Sequence, residues 1–492
     1  MQNRYEHLAL LTDFYQLTMA YAYWKKSLAE RRAVFHLFFR RPPFKGGFTI
    51  ACGLEQVVHF VEHFHFDSSD LAYLDSLTHS NGERYFGRAF LDMLSNLKLT
   101  VDVDAVPEGS VVFPYEPLVR VEGPLMQCQL LESPLLNLIN FPTLIATKAA
   151  RVVTAAAGDP VMEFGMRRAQ GIDGALTASR AAFVGGCSST SNVLAGKLYG
   201  IPVQGTQAHS WVMAFEQEQE AFAAYADVMP DSIVFLVDTY HTIDGVKKAI
   251  VVAKELQSQG KKVTGIRLDS GDLAELSRES RKLLDAAGLS DVRIVASNEL
   301  DETLISELKR QGAKISAWGV GTNLVTGKDQ GALDGVYKLS AIQGEQGRWR
   351  YILKLSEQLA KISNPGLHQV RRFIRDGVPI GDVIYDREIG VGTKVLAVDQ
   401  FDPTKQVSFD GGCTYQDLLQ PIFRKGACVY TLPGLQEIRE VAKTQLQAFP
   451  VGIKRFLNPH SYPVMMEERL YHIKLDLIKQ YRHQHTTAPA GQ

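Results

Sequence analysis

Ionisable and hydroxyl side chains recur directly after a series of short apolar segments in the middle of the chain. Amphipathic stretches of helical length separate these segments, which is the pattern of βα units around a parallel sheet. The polar groups that follow the segments are Glu163 with Arg167 and Arg168, Thr206 with His209, Asp238 with His241, Arg267 with Asp269 and Ser270, residues 297–299, and residues 319–323. Because the active site of a parallel barrel collects at the carboxyl ends of its strands, six such ends predict one shared pocket.

Arg267 and Asp269 are the candidates for direct contact with a charged ligand. They flank Leu268 in a segment that suits the end of a strand. A guanidinium binds a carboxylate or stacks on an aromatic ring, and a carboxylate binds Mg²⁺ or ribose hydroxyls. The alternative is an ion pair at the rim of a barrel. Asp272, which precedes the next helix, could be only an N-cap.

Gly319-Val320-Gly321-Thr322 could form a phosphate-binding loop. Glycine tolerates positive φ and lets a phosphate approach consecutive backbone N–H groups. Phosphate sites also recur near the last strands of barrels. The alternative is a tight turn between a strand and a helix.

His209 and the adjacent pair Arg167 and Arg168 stay undecided on residue type alone. A single histidine between a strand and a helix is more often a packing or capping residue than a catalyst. Two adjacent arginines are often a solvated pair, although here a predicted strand ends just before them. The residue types therefore allow a phosphate-handling site without requiring one.

The elements that must position these groups form three regions. Strands of the parallel barrel are expected at 161–164, 202–204, 233–237, 263–268, 293–296, 314–318 and 336–339. Earlier strand-like runs, at 33–39, 48–52, 100–106, 110–113 and 118–122, predict a small α+β domain. The resulting division is an N-terminal domain at 1–150, a barrel domain at 151–345, a closing segment at 346–482, and a polar tail at 483–492 that is expected to be disordered.

Composition excludes several classes of protein. The 492 residues include 53 Lys and Arg against 54 Asp and Glu, so no global field attracts nucleic acid or an anionic membrane. No apolar stretch is long enough to cross a bilayer. The first seven residues lack the pattern of a secretory signal, and five scattered cysteines predict neither a disulfide framework nor a zinc site. The cytoplasm is the expected compartment.

Six segments together resemble the nicotinate phosphoribosyltransferase family, in the family's order and roughly its spacing. The segments are Leu11-Thr12-Asp13-Phe14-Tyr15-Gln16, Phe35 with Arg41-Pro42-Pro43-Phe44-Lys45-Gly46-Gly47, residues 163–171, residues 205–210, residues 267–272, and residues 319–322. In the tail, residues 435–439 and 458–460 look similar as well. The resemblance is strong over about the first 340 residues and looser beyond them.

The resemblance implies an irregular, incomplete α/β barrel of the type II phosphoribosyltransferase kind, with a smaller N-terminal α+β domain and a C-terminal segment. It implies a homodimer whose partner subunit helps to complete the site. The implied reaction converts nicotinate, phosphoribosyl pyrophosphate, ATP and water to nicotinate mononucleotide, pyrophosphate, ADP and phosphate. This reaction is the first step of NAD salvage from nicotinate and would proceed through a phosphohistidine.

The resemblance also implies roles for individual residues. Tyr15, Thr206 and Arg267 would bind nicotinate, and His209 would be the residue that ATP phosphorylates. Mg²⁺ on the pyrophosphate would be held by Asp269 and Asp238. The catalytic set is thus His209, Arg267 and Asp269. The remaining substrate-binding positions are Arg167, Arg168, Ser270, Gly319, Gly321 and Thr322.

Other functions remain open at this point. A phosphoribosyltransferase acting on nicotinamide or quinolinate would use much of the same machinery. A barrel that binds nucleotides without turnover would not require a phosphorylatable histidine. A class I aldolase needs a lysine in an apolar setting at a strand end, and only Lys338 comes near that description.

Overall fold

The computed structural model describes residues 8–392 and 394–486. Contacts within the chain divide it into two units. Unit 1 takes the described residues of Met1–Thr143 and Ala332–Gln492, and unit 2 is Leu144–Gly331. The α-helices are α1 Phe14–Lys25, α2 Leu54–Glu62, α3 Ser68–Ser76, α4 Arg88–Ser95, α5 Leu125–Leu130, α6 Glu132–Ala156, α7 Gly171–Val184, α8 Val193–Tyr199, α9 His209–Met213, α10 Glu218–Val228, α11 Thr242–Ser258, α12 Leu273–Ala286, α13 Glu302–Arg310, α14 Thr322–Val325, α15 Leu435–Ala448 and α16 Glu468–Thr486. The strands are β1 Arg32–Phe39, β2 Thr49–Ile50, β3 Asp102–Ala105, β4 Val111–Val112, β5 Val119–Pro124, β6 Val161–Glu163, β7 Ser189–Thr190, β8 Val234–Leu236, β9 Gly265–Leu268, β10 Arg293–Ala296, β11 Ala317–Val320, β12 Gly335–Gln343, β13 Trp349–Tyr351, β14 His368–Arg375, β15 Val378–Asp386, β16 Val395–Asp399, β17 Gln406–Phe409, β18 Thr414–Asp417, β19 Gln420–Arg424, β20 Ala427–Cys428 and β21 Val464–Glu467.

Unit 2 is built around a six-stranded parallel sheet in the order β7-β6-β11-β10-β9-β8. β8 to β11 follow one another in chain order, and β11 then pairs with β6. The sheet would close into a barrel if β7 paired with β8, but within the described residues no ladder joins them. A single bridge from Thr190 to Val203 lies at this opening. The prediction of an incomplete α/β barrel is confirmed.

Helix α12 illustrates how the outer layer of unit 2 arises from sequence. The side chain of Asp272 accepts the backbone N–H groups of Ala274 and Glu275, so the helix begins there. Buried Leu273, Ala274, Ser277, Ser280 and Leu284 recur at helical spacing and form its inner face. Asp272 is therefore an N-cap, which is the structural role that the sequence analysis gave as its alternative to a ligand-binding role.

Unit 1 contains a seven-stranded antiparallel sheet in the order β13-β12-β1-β5-β3-β19-β20. A second sheet, β17-β16-β21-β15-β14-β18, has a core that includes Phe373 stacked on Phe409 with ring centroids 4.2 Å apart. The first sheet joins strands from both ends of the chain. Residues of the predicted closing segment at 346–482 contribute to both sheets: β14 to β18 and β21 form the second, whereas β13 and β19 join the first through β12 and β3.

Several predicted boundaries differ from the structure. The run 336–339 was expected in the barrel but belongs to β12, which pairs with β1 in unit 1. Strand β7 was not predicted, because two residues are too few to show a pattern. Helix α16 extends to Thr486, so residues 483–486 of the predicted disordered tail are helical. Residues 1–7, on which the signal prediction rests, and 487–492 lie outside the described residues. Within 8–392 and 394–486, no helix combines the length and the hydropathy of a membrane span.

Candidate active site

The guanidinium of Arg267 is held at the carboxyl end of β9 by burial and by a hydroxyl group. Its Nη1 donates a short hydrogen bond to Oγ1 of Thr206. Its Nε is buried and has no hydrogen-bond partner among the described residues. A buried guanidinium with an unsatisfied donor is suited to binding a planar anion.

The charge of Arg267 is tuned by its surroundings. Burial lowers the pKa of the guanidinium, the carboxylates of Asp269 and Asp238 act in the opposite direction, and the like charge of Arg167 adds to the lowering. Because an arginine titrates far above neutral pH, the group stays cationic. Arg167 is exposed in the short 3-10 helix Met166–Arg168 and contributes positive potential here. Exposed Arg168 lies in the same turn, and within the described residues no hydrogen bond or ion pair joins it to Arg267.

Asp238 organises the loop after β9. Its Oδ2 accepts the backbone N–H of Asp269 at 2.8 Å and the hydroxyl of Ser270 at 2.6 Å. Its Oδ1 is buried and lacks a partner among the described residues. Asp269 in turn accepts a short hydrogen bond from the hydroxyl of Ser297. The ends of three neighbouring strands are thus joined through carboxylates, as the sequence predicted for Asp238, Asp269 and Ser270.

His209 begins α9 and reaches the same group. Its Nε2 lies 3.7 Å from Oδ2 of Asp269, and its Nδ1 lies 3.2 Å from Oγ1 of Thr239. The side chain is 40% exposed, so one face is open to a ligand. Thr239 was not singled out from sequence, although its position directly after Asp238 was an available signal. We call the group Thr206, His209, Asp238, Arg267, Asp269 and Ser270 the strand-end cluster.

Glu163 is a positioning residue that the sequence indicated only as a strand end. The carboxylate is fully buried and accepts the hydroxyls of Ser179 at 2.9 Å and Thr190 at 2.6 Å, together with the backbone N–H of Gly165. These contacts tie β6, β7 and α7 together. The carboxylate therefore fixes the loop that carries the two arginines.

Replacing Glu163 with Gln is expected to lower the free energy of unfolding by about 2 kcal/mol, because hydrogen bonds to a buried charge are lost. Urea unfolding followed by circular dichroism measures the change. Glu255→Gln, at an exposed position in α11, is the matched control and should stay within about 0.5 kcal/mol of the wild type. Equal stability of the two variants would contradict the assigned role.

Gly319 and Gly321 are required for space and not for positive φ. Neither residue has the positive φ that the sequence analysis expected. A Cβ at Gly319 would lie 2.7 Å from the ring of Phe164, and one at Gly321 would lie 3.1 Å from the backbone oxygen of Phe164. Thr322 follows as the first residue of α14. The loop is therefore a close-packed strand-to-helix turn beside the β6 end.

A cavity of about 610 Å³ lies largely at the amino ends of the barrel strands, where Pro160, Thr264 and Arg293 line it. Its apolar wall includes Met162, Phe164, Val234 and Val295, and Thr206 supplies a hydroxyl. The volume lies within the range that holds small organic ligands. Of the strand-end cluster, Thr206 alone lines this cavity, and its hydroxyl also accepts the hydrogen bond from Arg267.

Other candidates from the sequence lie outside this group. Tyr15 belongs to unit 1, is 48% exposed, and has its pKa raised by partial burial and by the charges of Glu132 and Asp13. His241 is exposed and pairs with Asp244 at 3.1 Å. Lys338 lies in the antiparallel sheet of unit 1 and donates to a backbone oxygen, so it is not a barrel lysine. The aldolase interpretation loses its only candidate.

Comparison with known proteins covers nearly the whole chain. Residues 10–140 match the model of the nicotinate phosphoribosyltransferase (NAPRTase) N-terminal domain. Residues 160–358 match the nicotinate phosphoribosyltransferase (NAPRTase) family, and residues 367–474 match the nicotinate phosphoribosyltransferase C-terminal domain. The motifs of the sequence analysis lie within these matches.

Individual relatives and solved structures agree with the domain models. The chain is 41% identical over 484 residues to a nicotinate phosphoribosyltransferase of Bacillus subtilis (strain 168), covering 97% of this chain and 96% of that protein. It is 36% identical to the human nicotinate phosphoribosyltransferase, covering 94% of this chain and 95% of the human protein. The crystal structure of human nicotinic acid phosphoribosyltransferase superposes with a TM-score of 0.81 at 33% identity, covering 95% of this chain and 99% of that one. A nicotinate-nucleotide pyrophosphorylase from Pyrococcus furiosus, at 23% identity and a TM-score of 0.69 over 90% of this chain and 96% of that one, shares the fold.

Proposed function

Because the chain belongs to the nicotinate phosphoribosyltransferase family, we propose that it transfers the phosphoribosyl group of phosphoribosyl pyrophosphate to the ring nitrogen of nicotinate. The products are nicotinate mononucleotide and pyrophosphate, the first step of NAD salvage from nicotinate. The observation that carries the proposal is the strand-end cluster, which brings a cation, two carboxylates and a histidine together at the carboxyl ends of the barrel strands.

Nicotinate would lie at the carboxyl ends of the barrel strands, with its carboxylate on Arg267 and Thr206. The contact between Nη1 of Arg267 and the Thr206 hydroxyl supports this placement, because both groups face one site. The ring nitrogen is already a nucleophile, so no base has to remove a proton. Electrostatic stabilisation of a cationic sugar and of a departing pyrophosphate should therefore dominate catalysis.

The phosphoribosyl group would be bound around the loop of Gly319, Gly321 and Thr322, with Arg167 and Arg168 supplying positive charge. The close packing of Gly319 against Phe164 supports a loop of fixed shape. A preorganised loop can receive a phosphate without further ordering. Ser270, already held by Asp238, lies at the end of the adjacent strand and would contact the same substrate.

Asp238 and Asp269 fit a Mg²⁺ ion. Carboxylate oxygens are the ligands this ion prefers, and Oδ1 of Asp238 is buried without a partner among the described residues, which a cation would relieve. When bound, the ion neutralises charge on the pyrophosphate. The protein contributes the orientation of both carboxylates, since Asp238 holds the Asp269 backbone and Ser297 holds the Asp269 side chain.

His209 would accept the γ-phosphoryl group of ATP, releasing ADP, and water would later release the phosphate from the imidazole. Its partial exposure and its position 3.7 Å from Asp269 support this role. The phosphate would add negative charge next to the carboxylates and cations of the strand-end cluster and alter how the site binds its substrates. Hydrolysis of ATP would in this way favour product formation.

The phosphohistidine is expected to disappear in His209→Ala. Wild-type protein incubated with Mg-ATP should carry an acid-labile phosphate by mass spectrometry, and ATP should stimulate mononucleotide formation. His241→Ala is the control, because His241 follows β8, which comes after His209 in the chain, and pairs with Asp244 at an exposed position. Phosphate on His209→Ala, or its loss from both variants, would exclude this assignment.

A homodimer in the cytoplasm completes the proposal. Tyr15 lies in unit 1 and would reach nicotinate bound by the partner subunit. The exposed position of Tyr15 supports a role in binding another group. Cross-linking of Tyr15→Cys protein to a substrate analogue tests the dimer. In a mixed dimer whose other subunit carries Arg267→Gln, labelling of the introduced thiol should be lost if the site is shared, and its persistence would contradict this placement.

A further inference from the structure

Unit 1 contains a second cavity, of about 750 Å³, that the proposed reaction does not use. Two segments of the family resemblance meet there without a role in the strand-end cluster, residues 41–47 and residues 458–460. The side chains and backbone that form its wall include Arg40, Tyr115, Phe401, Lys405, His460 and Tyr462. We propose that this unit-1 cavity binds a nucleotide, with the phosphate on Arg40 and the base against Tyr115 and Phe401.

Arg40 supplies an uncompensated cation in the cavity wall. Within the described residues it makes no hydrogen bond or ion pair, and its Nε is buried. Its guanidinium carbon lies 5.8 Å from the ring centroid of Phe38, which orients the side chain. A partly buried cation without a partner is costly, and a bound phosphate would compensate it.

Arg40 is the wall cation that has no carboxylate partner among the described residues. Lys405 at the rim lies 3.2 Å from Asp402, and the imidazole of His460 also lines the wall. The only carboxylate of the wall in the described residues is Asp399, whose Oδ1 accepts the backbone N–H groups of Phe401 and Asp402. Asp399 is therefore engaged in a turn, which leaves Arg40 as the wall cation without an ion-pair partner among the described residues.

Aromatic rings provide the complementary surface for a base. Tyr115 and Phe401 have ring centroids 4.9 Å apart with planes at 58°, and Phe401 is 44% exposed at the mouth. Phe113 stacks on Tyr462 behind them at 4.1 Å. Any nucleobase can stack on such rings, because every base has a π-face. The combination of rings and cations matches a nucleotide better than a bare phosphate.

The cavity is preformed by a rigid backbone. Phe44, Lys45, Tyr115 and Asn458 have positive φ values of 56°, 50°, 70° and 46° at or beside its wall. Such conformations are costly for residues with side chains and concentrate at ligand sites. Gly47 allows the two segments to meet, since a Cβ there would lie 2.9 Å from Cβ of Pro459. A ligand would therefore bind without ordering the site.

Photoaffinity labelling of the full-length protein with 8-azido-AMP tests this inference. The label is expected on peptides that contain Tyr115 or Phe401, and Arg40→Gln should reduce that labelling at least tenfold. Arg41→Gln is the matched control, because Arg41 is adjacent, exposed and not part of the cavity wall. Label confined to unit 2, or equal labelling of the two variants, would overturn the proposal.

A second variant, Phe401→Ala, tests the cavity independently in case Arg40→Gln does not fold. Phe401→Ala changes an exposed ring at the mouth and should weaken labelling while leaving the melting temperature unchanged. Competition then identifies the ligand class: AMP should displace the label at concentrations at least tenfold lower than adenosine or inorganic phosphate. If phosphate alone competes as well as AMP, the nucleotide assignment is wrong. Thr322→Val should leave the unit-1 label intact, which separates this result from the proposed reaction.

Discussion

Arg267→Gln is expected to lower kcat/KM for nicotinate by about 1000-fold. Removing one partner of a buried charged contact costs about 2–5 kcal/mol, and each 1.36 kcal/mol is tenfold in rate. The substitution removes the cation that would bind the carboxylate and leaves the Thr206 hydroxyl without its donor. Steady-state assay of mononucleotide formation at varied nicotinate measures the loss.

The controls for Arg267 separate charge recognition from misfolding. Arg278→Gln alters a half-buried arginine of α12 that donates to the backbone oxygen of Gln311, and should change kcat/KM by less than about 2-fold. Assays with nicotinamide and quinolinate should show that wild type prefers nicotinate and that Arg267→Gln loses most of this preference over the amide. An equal loss for nicotinate and nicotinamide would mean that Arg267 contacts the ring and not the carboxylate.

Acid is expected to destabilise unit 1 through a buried histidine pair. His36 and His368 stack with ring centroids 4.1 Å apart, and both are almost fully buried. Burial lowers the pKa of His368 to about 4, and burial, His368 and Arg120 lower the pKa of His36 well below its ordinary 6.5. Both rings are therefore neutral in the folded protein at pH 7.

The sign of the pH effect follows from proton binding. Below pH 6.5 the unfolded chain binds protons that the folded pair does not, so stability present above pH 6.5 falls as the pH drops toward about 4. For His368 alone the loss is on the order of 3 kcal/mol, from a shift of about 2.5 pH units at about 1.36 kcal/mol each. Urea unfolding at a series of pH values measures the slope.

His368→Gln is expected to reduce this slope, because glutamine can still donate to the backbone oxygen of Pro365 but does not titrate here. His472→Gln, at an exposed position of α16, is the control and should keep the wild-type slope. Comparing slopes, and not absolute stabilities, removes the effect of imperfect packing. Identical slopes in all three proteins would exclude the pair as the source of acid sensitivity.

The barrel could be anticipated from the sequence where its signals are local. The strand at 293–296 has the predicted bounds of β10, and the polar groups after β8 and β9 do converge. Each apolar run and the polar residues after it are adjacent in the sequence. Local periodicity is therefore enough to predict the strand and the position of its polar end. The family resemblance implied that Thr206 and Arg267 belong to one pocket, and the two side chains are in contact, while their binding of nicotinate stays a prediction.

Strand pairs and side-chain contacts between segments far apart in the chain could be identified only from the structure. Nothing local distinguishes the strand at 336–339 from a barrel strand, yet β12 pairs with β1 about 300 residues earlier. The same holds for β19 on β3, for Thr239 beside His209, and for the unit-1 cavity. By itself, the sequence determined the barrel's element pattern, the chemistry at its strand ends and the family. Tertiary structure decided which strands share a sheet and which side chains meet, because those outcomes depend on packing between segments far apart in the chain.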